Sequence, residues 1–286
     1  MKVLLKGRLS VFKLKKRYTL VIVSLGTLPV LSAQAEIKLS GEIKQGGLVI
    51  GKTDANNRVR LNKTALTVSK QGDYVFAFSR DDKTQYTLTV TSTTGKIETQ
   101  TFTPSTRDYK ISRVEGISKK IMNPNKKANV RAGEDRAAIV KVRKISSNLT
   151  AFSQGFIAPR SSSITGVYGS QRFYNGVPKN PHFGVDYAGQ IGAPVKAPAS
   201  GTVLLWVPDM FYSGGTLVID HGHGITSNFL HLSASMVKVG DKVKQGQVIA
   251  KVGNSGRVTG PHLDWRMNWH QVRFDPQLAM KVSPIK

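Results

Sequence analysis

The chain has no cysteine in 286 residues. Disulfide staples are excluded, and a metal would have to be held by imidazole and carboxylate alone. That donor set suits Zn²⁺, which needs three protein ligands and one open position for catalysis. A chain this long can bury a sufficient core without staples, and the lack of thiols is compatible with export. Acid is scarce as well: 17 Asp and Glu stand against 42 Lys and Arg, a formal charge of +25. No histidine occurs before His182, so the first part of the chain lacks the commonest acid–base and ligand residue. An HEXXH helix is absent, which rules out a thermolysin-like site. Beyond the N-terminal segment no run is apolar enough to span a bilayer.

Residues 1–35 read as a secretory signal peptide. Lys2, Lys6, Arg8, Lys13, Lys15, Lys16 and Arg17 precede a short apolar stretch, Leu20 to Leu31, and Ala33-Gln34-Ala35 supplies a small-x-small cleavage site. The stretch is shorter than the roughly 20 residues of a membrane span, and Pro29 interrupts it. Cleavage leaves 251 residues starting at Glu36 and, with seven basic residues removed from +25, a charge of +18. The product is expected in the periplasm or outside the cell and not as an integral membrane protein. Export, and the lack of an aromatic-basic or helix-turn-helix pattern, argue against nucleic acid as partner. Anionic envelope polymers and lipid head groups are the polyanions within reach of such a charge.

The mature chain divides by texture into three parts. Residues 36–104 alternate apolar and polar positions in Val59-Arg60-Leu61, Leu66-Thr67-Val68, Tyr74 to Phe78 and Tyr86 to Val90. Glycines and Asn56-Asn57 punctuate them, which predicts a small β-sandwich. Residues 105–155 form a basic linker, with a helix expected from Asn129 to Ile145. Residues 156–286 are rich in Gly, Pro and β-formers. Strands are expected at 203–207, 216–219, 225–232 and 247–252, in a compact, mostly antiparallel β domain. The fold class is therefore mainly β.

All six histidines lie in this last part. His182 and Asp186, four apart, can ligate one metal from neighbouring points of a loop or strand end. His262 and Asp264 are two apart and on a strand would share a face. His231 ends an apolar stretch inside an expected strand. Alone, each is an ordinary structural residue; together on one domain they point to a site.

Five stretches of this region are specific enough to name a family. They are Gly166-Val167-Tyr168-Gly169 with Arg172; His182 to Asp186; Gly192 to Pro198 leading to Gly201; Asp220-His221-Gly222-His223-Gly224 leading to Leu230-His231-Leu232; and Gly253-Asn254-Ser255-Gly256 leading to Thr259-Gly260-Pro261-His262-Leu263. The region from about Phe156 to Asp275 resembles the catalytic domain of lysostaphin-type (LytM-like) zinc metallopeptidases, which cut peptide cross-links in peptidoglycan. The segment around Gly46 to Gly51 also resembles, more weakly, the β-sandwich preceding that domain in exported Gram-negative relatives.

The resemblance implies one Zn²⁺ per chain, with His182 and Asp186 as the first two ligands. It implies that His231 and His262 are non-ligands that assist the attacking water and the tetrahedral intermediate. The third ligand of the family is a histidine, and Asp264 stands in its place here. Asp is an acceptable zinc ligand, but a second carboxylate lowers the formal charge of the centre by one. Weaker acidification of its water and weaker selection of Zn²⁺ over Mn²⁺ are the expected consequences. Phe229 replaces a tyrosine whose hydroxyl helps the oxyanion in many relatives, a loss of about a hundredfold where such a donor acts. His221, Phe229, Trp265 and Arg266 are the candidates for positions behind the ligands or along the groove. His223 and His270 read as surface or groove residues. The function implied is a zinc endopeptidase acting on the peptide stems of peptidoglycan in a Gram-negative-type envelope. The alternative is a catalytically inactive member of the fold, acting as a wall-binding module or an amidase activator.

Overall fold

The computed structural model describes residues 36–116, 122 and 125–285; the expected signal peptide lies outside them. Seven strands open the described chain: β1 (Lys38–Ser40), β2 (Leu48–Lys52), β3 (Arg58–Leu61), β4 (Thr64–Leu66), β5 (Asp73–Ala77), β6 (Tyr86–Thr91) and β7 (Ile97–Phe102). They make two antiparallel sheets, β1-β2-β5 and β4-β3-β6-β7. The alternation of Arg58 to Leu61 puts Val59 and Leu61 inward, where they meet Val49, Tyr74, Phe76, Leu88 and Val90. The strand β7 has no apolar alternation to announce it, because it is an exposed edge carried by pairing with β6.

The strands β2 and β5 are buried on both sides. Val49, Tyr74 and Phe76 point into the sandwich. Leu48, Ile50, Val75 and Ala77 point the other way, into the core of the C-terminal region. The three-stranded sheet is thus a shared layer, and the described residues belong to one compact unit.

The linker is more structured than its composition shows. Its strand β8 (Ile111–Val114) pairs in parallel with a strand more than fifty residues later. Its helix α1 runs Lys126–Val142, three residues earlier than expected at each end, because the Asn125 side chain accepts from Ala128 N and caps it there. The helix is only lightly buried, through Val142, as its thin apolar stripe predicts.

The C-terminal region comprises β9 (Ile164–Gly166), β10 (Gln171–Tyr174), β11 (Val177–Pro178), β12 (Val185–Ala188), β13 (Pro194–Lys196), β14 (Gly201–Met210), β15 (Gly214–Gly222), β16 (Ile225–Ser235), β17 (Lys242–Val243), β18 (Val248–Val252), β19 (His262–Trp269), β20 (Val272–Phe274) and the short helix α2 (Pro276–Ala279). The main sheet runs β17-β14-β15-β16-β19-β12-β9, with every pairing antiparallel. The strands β16 and β19 keep an unbroken register from Ile225↔Trp269 to Leu230↔Asp264. Period two therefore divides them cleanly. Ile225, Phe229, Leu263, Trp265 and Met267 face the core. Thr226, Asn228, Leu230, Asp264, Arg266 and Asn268 line the opposite, polar face. No helix among the described residues is long and apolar enough to cross a membrane.

Candidate active site

The polar face of β16 and β19 opens into a cleft of about 840 Å³. Asp186 of β12 lies directly across from Asp264 of β19 in the antiparallel register. Cross-strand neighbours of like charge repel, so this pair needs cations. His182 precedes β12 and is fixed by its backbone: its N–H donates to Ser170 O at 2.9 Å, and its carbonyl accepts from Gly169 N at 2.7 Å. Ligand atoms of His182, Asp186 and Asp264 all lie within 4.8 Å of one another, and all three residues are buried.

The fit to a metal ion rests on unmet lone pairs. His182 Nε2 and Asp186 Oδ1 have no hydrogen-bond partner, yet they stand 3.0 Å apart. Two ligand atoms on one tetrahedral Zn²⁺, each at about 2.0–2.2 Å, lie about 3.3 Å from each other. A buried imidazole and a carboxylate oxygen held that close, with no hydrogen bond between them, match two corners of such a site. The donor set of one nitrogen and two carboxylates is acceptable to zinc and to harder divalent ions.

Arginines hold the other oxygens. Arg172 Nη2 is 3.3 Å from Asp186 Oδ2. Arg266 Nε donates to both oxygens of Asp264 at 3.0 Å, and its Nη2 reaches Oδ2 at 2.5 Å. Burial works to raise the Asp264 pKa, but the Arg266 guanidinium, with His182 beside it, outweighs burial and holds the carboxyl well below the usual range. This corrects the charge expected from sequence. The second carboxylate is neutralised by Arg266, so the centre does not lose the unit of positive charge that Asp264 alone would remove.

His231 and His262 stand over the three-residue cluster with ring centroids 4.9 Å apart. His231 reaches it through a bulge. Its φ is +65°, and β16 carries one more residue than β15 between Phe229 and Leu232. Leu230 and His231 thereby both leave the core face, while Phe229 and Leu232 stay on it. His231 Nδ1 lies 2.9 Å from Ser255 O, and His262 Nδ1 lies 2.8 Å from Gly260 O. A carbonyl only accepts, so each Nδ1 carries a proton and each Nε2 is the nitrogen left to face the cleft. His262 Nε2 sits 4.0 Å from Asp186 Oδ1. Burial pushes the His231 pKa down to about 4, against the pull of Asp264. His231 is therefore neutral at pH 7, and its Nε2 can accept a proton.

Three of the four sequence candidates behind the ligands belong elsewhere. Phe229 and Trp265 are fully buried in the core, on the face of β16 and β19 away from the cleft. A tyrosine at 229 would therefore not reach this cleft, and the expected oxyanion loss does not apply. His221 is also in the core: Nδ1 meets Ser200 O at 2.8 Å and Nε2 meets Ser227 Oγ at 2.9 Å. Only Arg266 lies at the centre. His223 is buried, against the surface reading, and rests on Phe152 with ring centroids 4.9 Å apart. His270 is half-buried at a turn.

Sequence reasoning left without a role Arg172, which the fold brings to Asp186 across 14 residues, and the glycines against the carboxylates. A Cβ on Gly166 would overlap Asp186 Oδ2, and one on Gly184 would overlap Asp264 Oδ1. Gly166→Ala is thus expected to displace Asp186 and weaken metal retention about 10- to 100-fold, with little change in unfolding midpoint, as read by competition with a zinc chelator. Unchanged retention would show that Asp186 is free to move.

The antiparallel sheet, a polar cleft and a His-Asp-Asp cluster under two imidazoles define a metallohydrolase-type site on a β scaffold. Residues 180–276 match the model of peptidase family M23. The chain is similar to peptidoglycan DD-endopeptidase ShyA of Vibrio cholerae, 44% identical over 103 residues, which is 36% of this chain and 23% of that protein. It is also similar to DD-carboxypeptidase/endopeptidase Mpg of Neisseria meningitidis, 40% identical over 102 residues, 36% of this chain and 22% of that one. The chain thus matches less than a quarter of the length of these relatives. A crystal structure of a putative peptidase M23 from Pseudomonas aeruginosa shares the fold, with a TM-score of 0.64 over 84% of this chain and 96% of that one at 24% identity.

Proposed function

We propose that the chain is a zinc-dependent endopeptidase that hydrolyses peptide cross-links of peptidoglycan in the cell envelope. The observation that carries this reading is the convergence of His182, Asp186 and Asp264 within 4.8 Å, beneath the two imidazoles, on a domain whose relatives are named for DD-endopeptidase activity. Peptide stems are the substrate, and the exported location expected from residues 1–35 places the chain where they are. The cationic surface favours adhesion to the anionic envelope.

His182 Nε2, Asp186 Oδ1 and a carboxylate oxygen of Asp264 would hold the metal. Zinc so bound supplies Lewis-acid polarisation of the scissile carbonyl and lowers the pKa of a water nucleophile. The remaining steps belong to the chain. The Nε2 lone pair of His231 or His262 takes a proton from the attacking water. The ring that has taken that proton can return it from Nε2 to the leaving amine, and the other imidazole would donate to the oxyanion only as an imidazolium, because its Nδ1–H is held by a backbone carbonyl. The Ser255 and Gly260 carbonyls fix both tautomers, and the bulge at His231 sets its ring against that of His262.

The alternative is a catalytically inactive member of the fold, and the Asp264–Arg266 pair is where the two readings are told apart. A guanidinium that already neutralises a ligand carboxylate stabilises the site without a cation, as a wall-binding module or an amidase activator would need. Elemental mass spectrometry before and after chelation, followed by digestion of cross-linked muropeptides, separates the two. The endopeptidase reading expects about one zinc per chain and cleavage of the cross-link. It also expects His231→Ala and His262→Ala each to lower cleavage by about a hundredfold or more with zinc retained. No metal after incubation with Zn²⁺ or Mn²⁺ would move the assignment to the second reading.

A further inference from the structure

The cleft is cationic beyond what its carboxylates need. Arg172, Lys179, Arg257, Arg266 and Arg273 line it, against Asp186 and Asp264. Arg172 and Arg266 are spent on those two acids. Arg273 has no carboxylate partner among the described residues. It lies on β20 opposite Asn268, beyond Arg266 along the polar face, and its guanidinium is stacked 4.5 Å over the Phe183 ring. That stacking holds it in place while leaving its N–H fork free.

The ground behind Arg273 is built of unused polar atoms, three donors and one acceptor. Arg143, 7% exposed, touches Asn228 through Nη2 at 3.4 Å, and Asn228 faces Arg266 across the strands. Arg143 Nε, Asn228 Nδ2 and both amide atoms of Asn268 are buried with no hydrogen-bond partner. Buried polar groups are rarely left so. Burial and the neighbouring guanidiniums of Arg273 and Arg266 push the Arg143 pKa down to about 9, so that end of the cleft has more positive charge than the protein neutralises.

We propose that Arg273, backed by Arg143, Asn228 and Asn268, is a specificity residue that binds a carboxylate of the peptide substrate at this end of the cleft. The inference rests on the endopeptidase reading and adds to it the chemistry of substrate choice: peptides with a free carboxylate are preferred to the same peptides as amides. Peptide stems carry such groups, and a planar guanidinium fork matches them in two-point fashion.

The test is equilibrium binding to the full chain by calorimetry, with chelator present so that nothing is turned over. One probe is a synthetic stem peptide with free carboxylates, and the other is its fully amidated form. The free acid is expected to bind about tenfold or more tightly. Arg273→Gln should bring the two affinities within about twofold, Arg273→Lys should keep part of the preference, and Lys244→Gln, on an exposed turn, should change nothing. Equal binding of both peptides by the unaltered chain would overturn the proposal. So would a preference that survives Arg273→Gln and fades equally in both proteins as salt rises, which is the long-range field of a basic surface. In a separate assay on the metal-loaded chain, cleavage of cross-linked dimers of the free-acid and amidated peptides at equal kcat/KM sinks this inference alone. Binding of neither peptide sinks the substrate class proposed above along with it.

Discussion

Asp264→His will destabilise the protein and will not improve metal retention unless Arg266 is changed with it. From sequence alone the substitution restores the histidine of the resembled family, and tolerance or improvement is expected. The structure reverses that expectation. Asp264 is 2% exposed and is gripped by Arg266 through both oxygens. A neutral imidazole there leaves the guanidinium with its charge and two donors unmatched, beside Arg143 and Arg273. Removing one partner of a buried pair costs about 3–5 kcal/mol; Arg266 keeps 27% side-chain exposure, which discounts this to the lower end. Space is short as well, since the Gly184 backbone already abuts Asp264 Oδ1. The double variant Asp264→His, Arg266→Gln removes the stranded charge and should recover much of the loss. Urea unfolding of the two single variants and the double variant closes the cycle. A coupling near zero, or Asp264→His as stable as the parent, would mean that the pair is incidental.

That case marks where the sequence stops being legible. The three residues of the cluster and the two imidazoles could be picked out because their types and spacings stand in short stretches, His182 to Asp186, Leu230 to Leu232 and His262 to Asp264. The departure at 264 was visible too, but its compensation was not. Arg266 is two residues along the same strand, so period two puts it on the same face as Asp264; on paper it is one of 42 basic residues. The misplacement of Phe229 and Trp265 has one physical source. Adjacency in sequence to a site residue means the opposite face in a strand, and only the left-handed bulge at His231 lets that residue depart from the parity of Phe229. His221 was misread because a Gly-rich turn looks like a loop from sequence, whereas β15 continues through it to Gly222 in the core. The sandwich strands with clean alternation were legible. The edge strand β7 and the parallel pairing of β8 were not, since neither is written in local periodicity.

Stability will fall steeply as pH drops from about 6.5 to 4, and His221 will account for much of the fall. His221 is completely buried. Its Nδ1 faces a carbonyl and so carries the proton. Its Nε2 faces Ser227 Oγ, which in turn accepts from Trp265 Nε1 at 3.2 Å. The serine hydroxyl therefore donates to Nε2, and the network is complete only with a neutral ring. Burial pushes the His221 pKa down to about 4, partly offset by the Ser200 carbonyl, against about 6.5 in the unfolded chain. Between those values the unfolded state binds the proton and the native state does not, so stability rises with pH. The contribution is complete above about 6.5 and is lost as pH falls to about 4. A shift of that size corresponds to about 3 kcal/mol, a large share of the 5–15 kcal/mol typical of a domain. His231, also pushed down to about 4 by burial, adds a slope of the same sign. Asp220 and Asp275, both raised by burial, act in the opposite sense near the acid end of the window. Urea midpoints measured from pH 7.5 to 4.5, with chelator present to remove the proton linkage of metal binding, should show the decline. His221→Gln should start lower at pH 7.5 and lose roughly half the slope. A flat profile from pH 7 to 5 would contradict the buried neutral ring. A slope unchanged in His221→Gln would assign the acid sensitivity to His231 and the cleft instead.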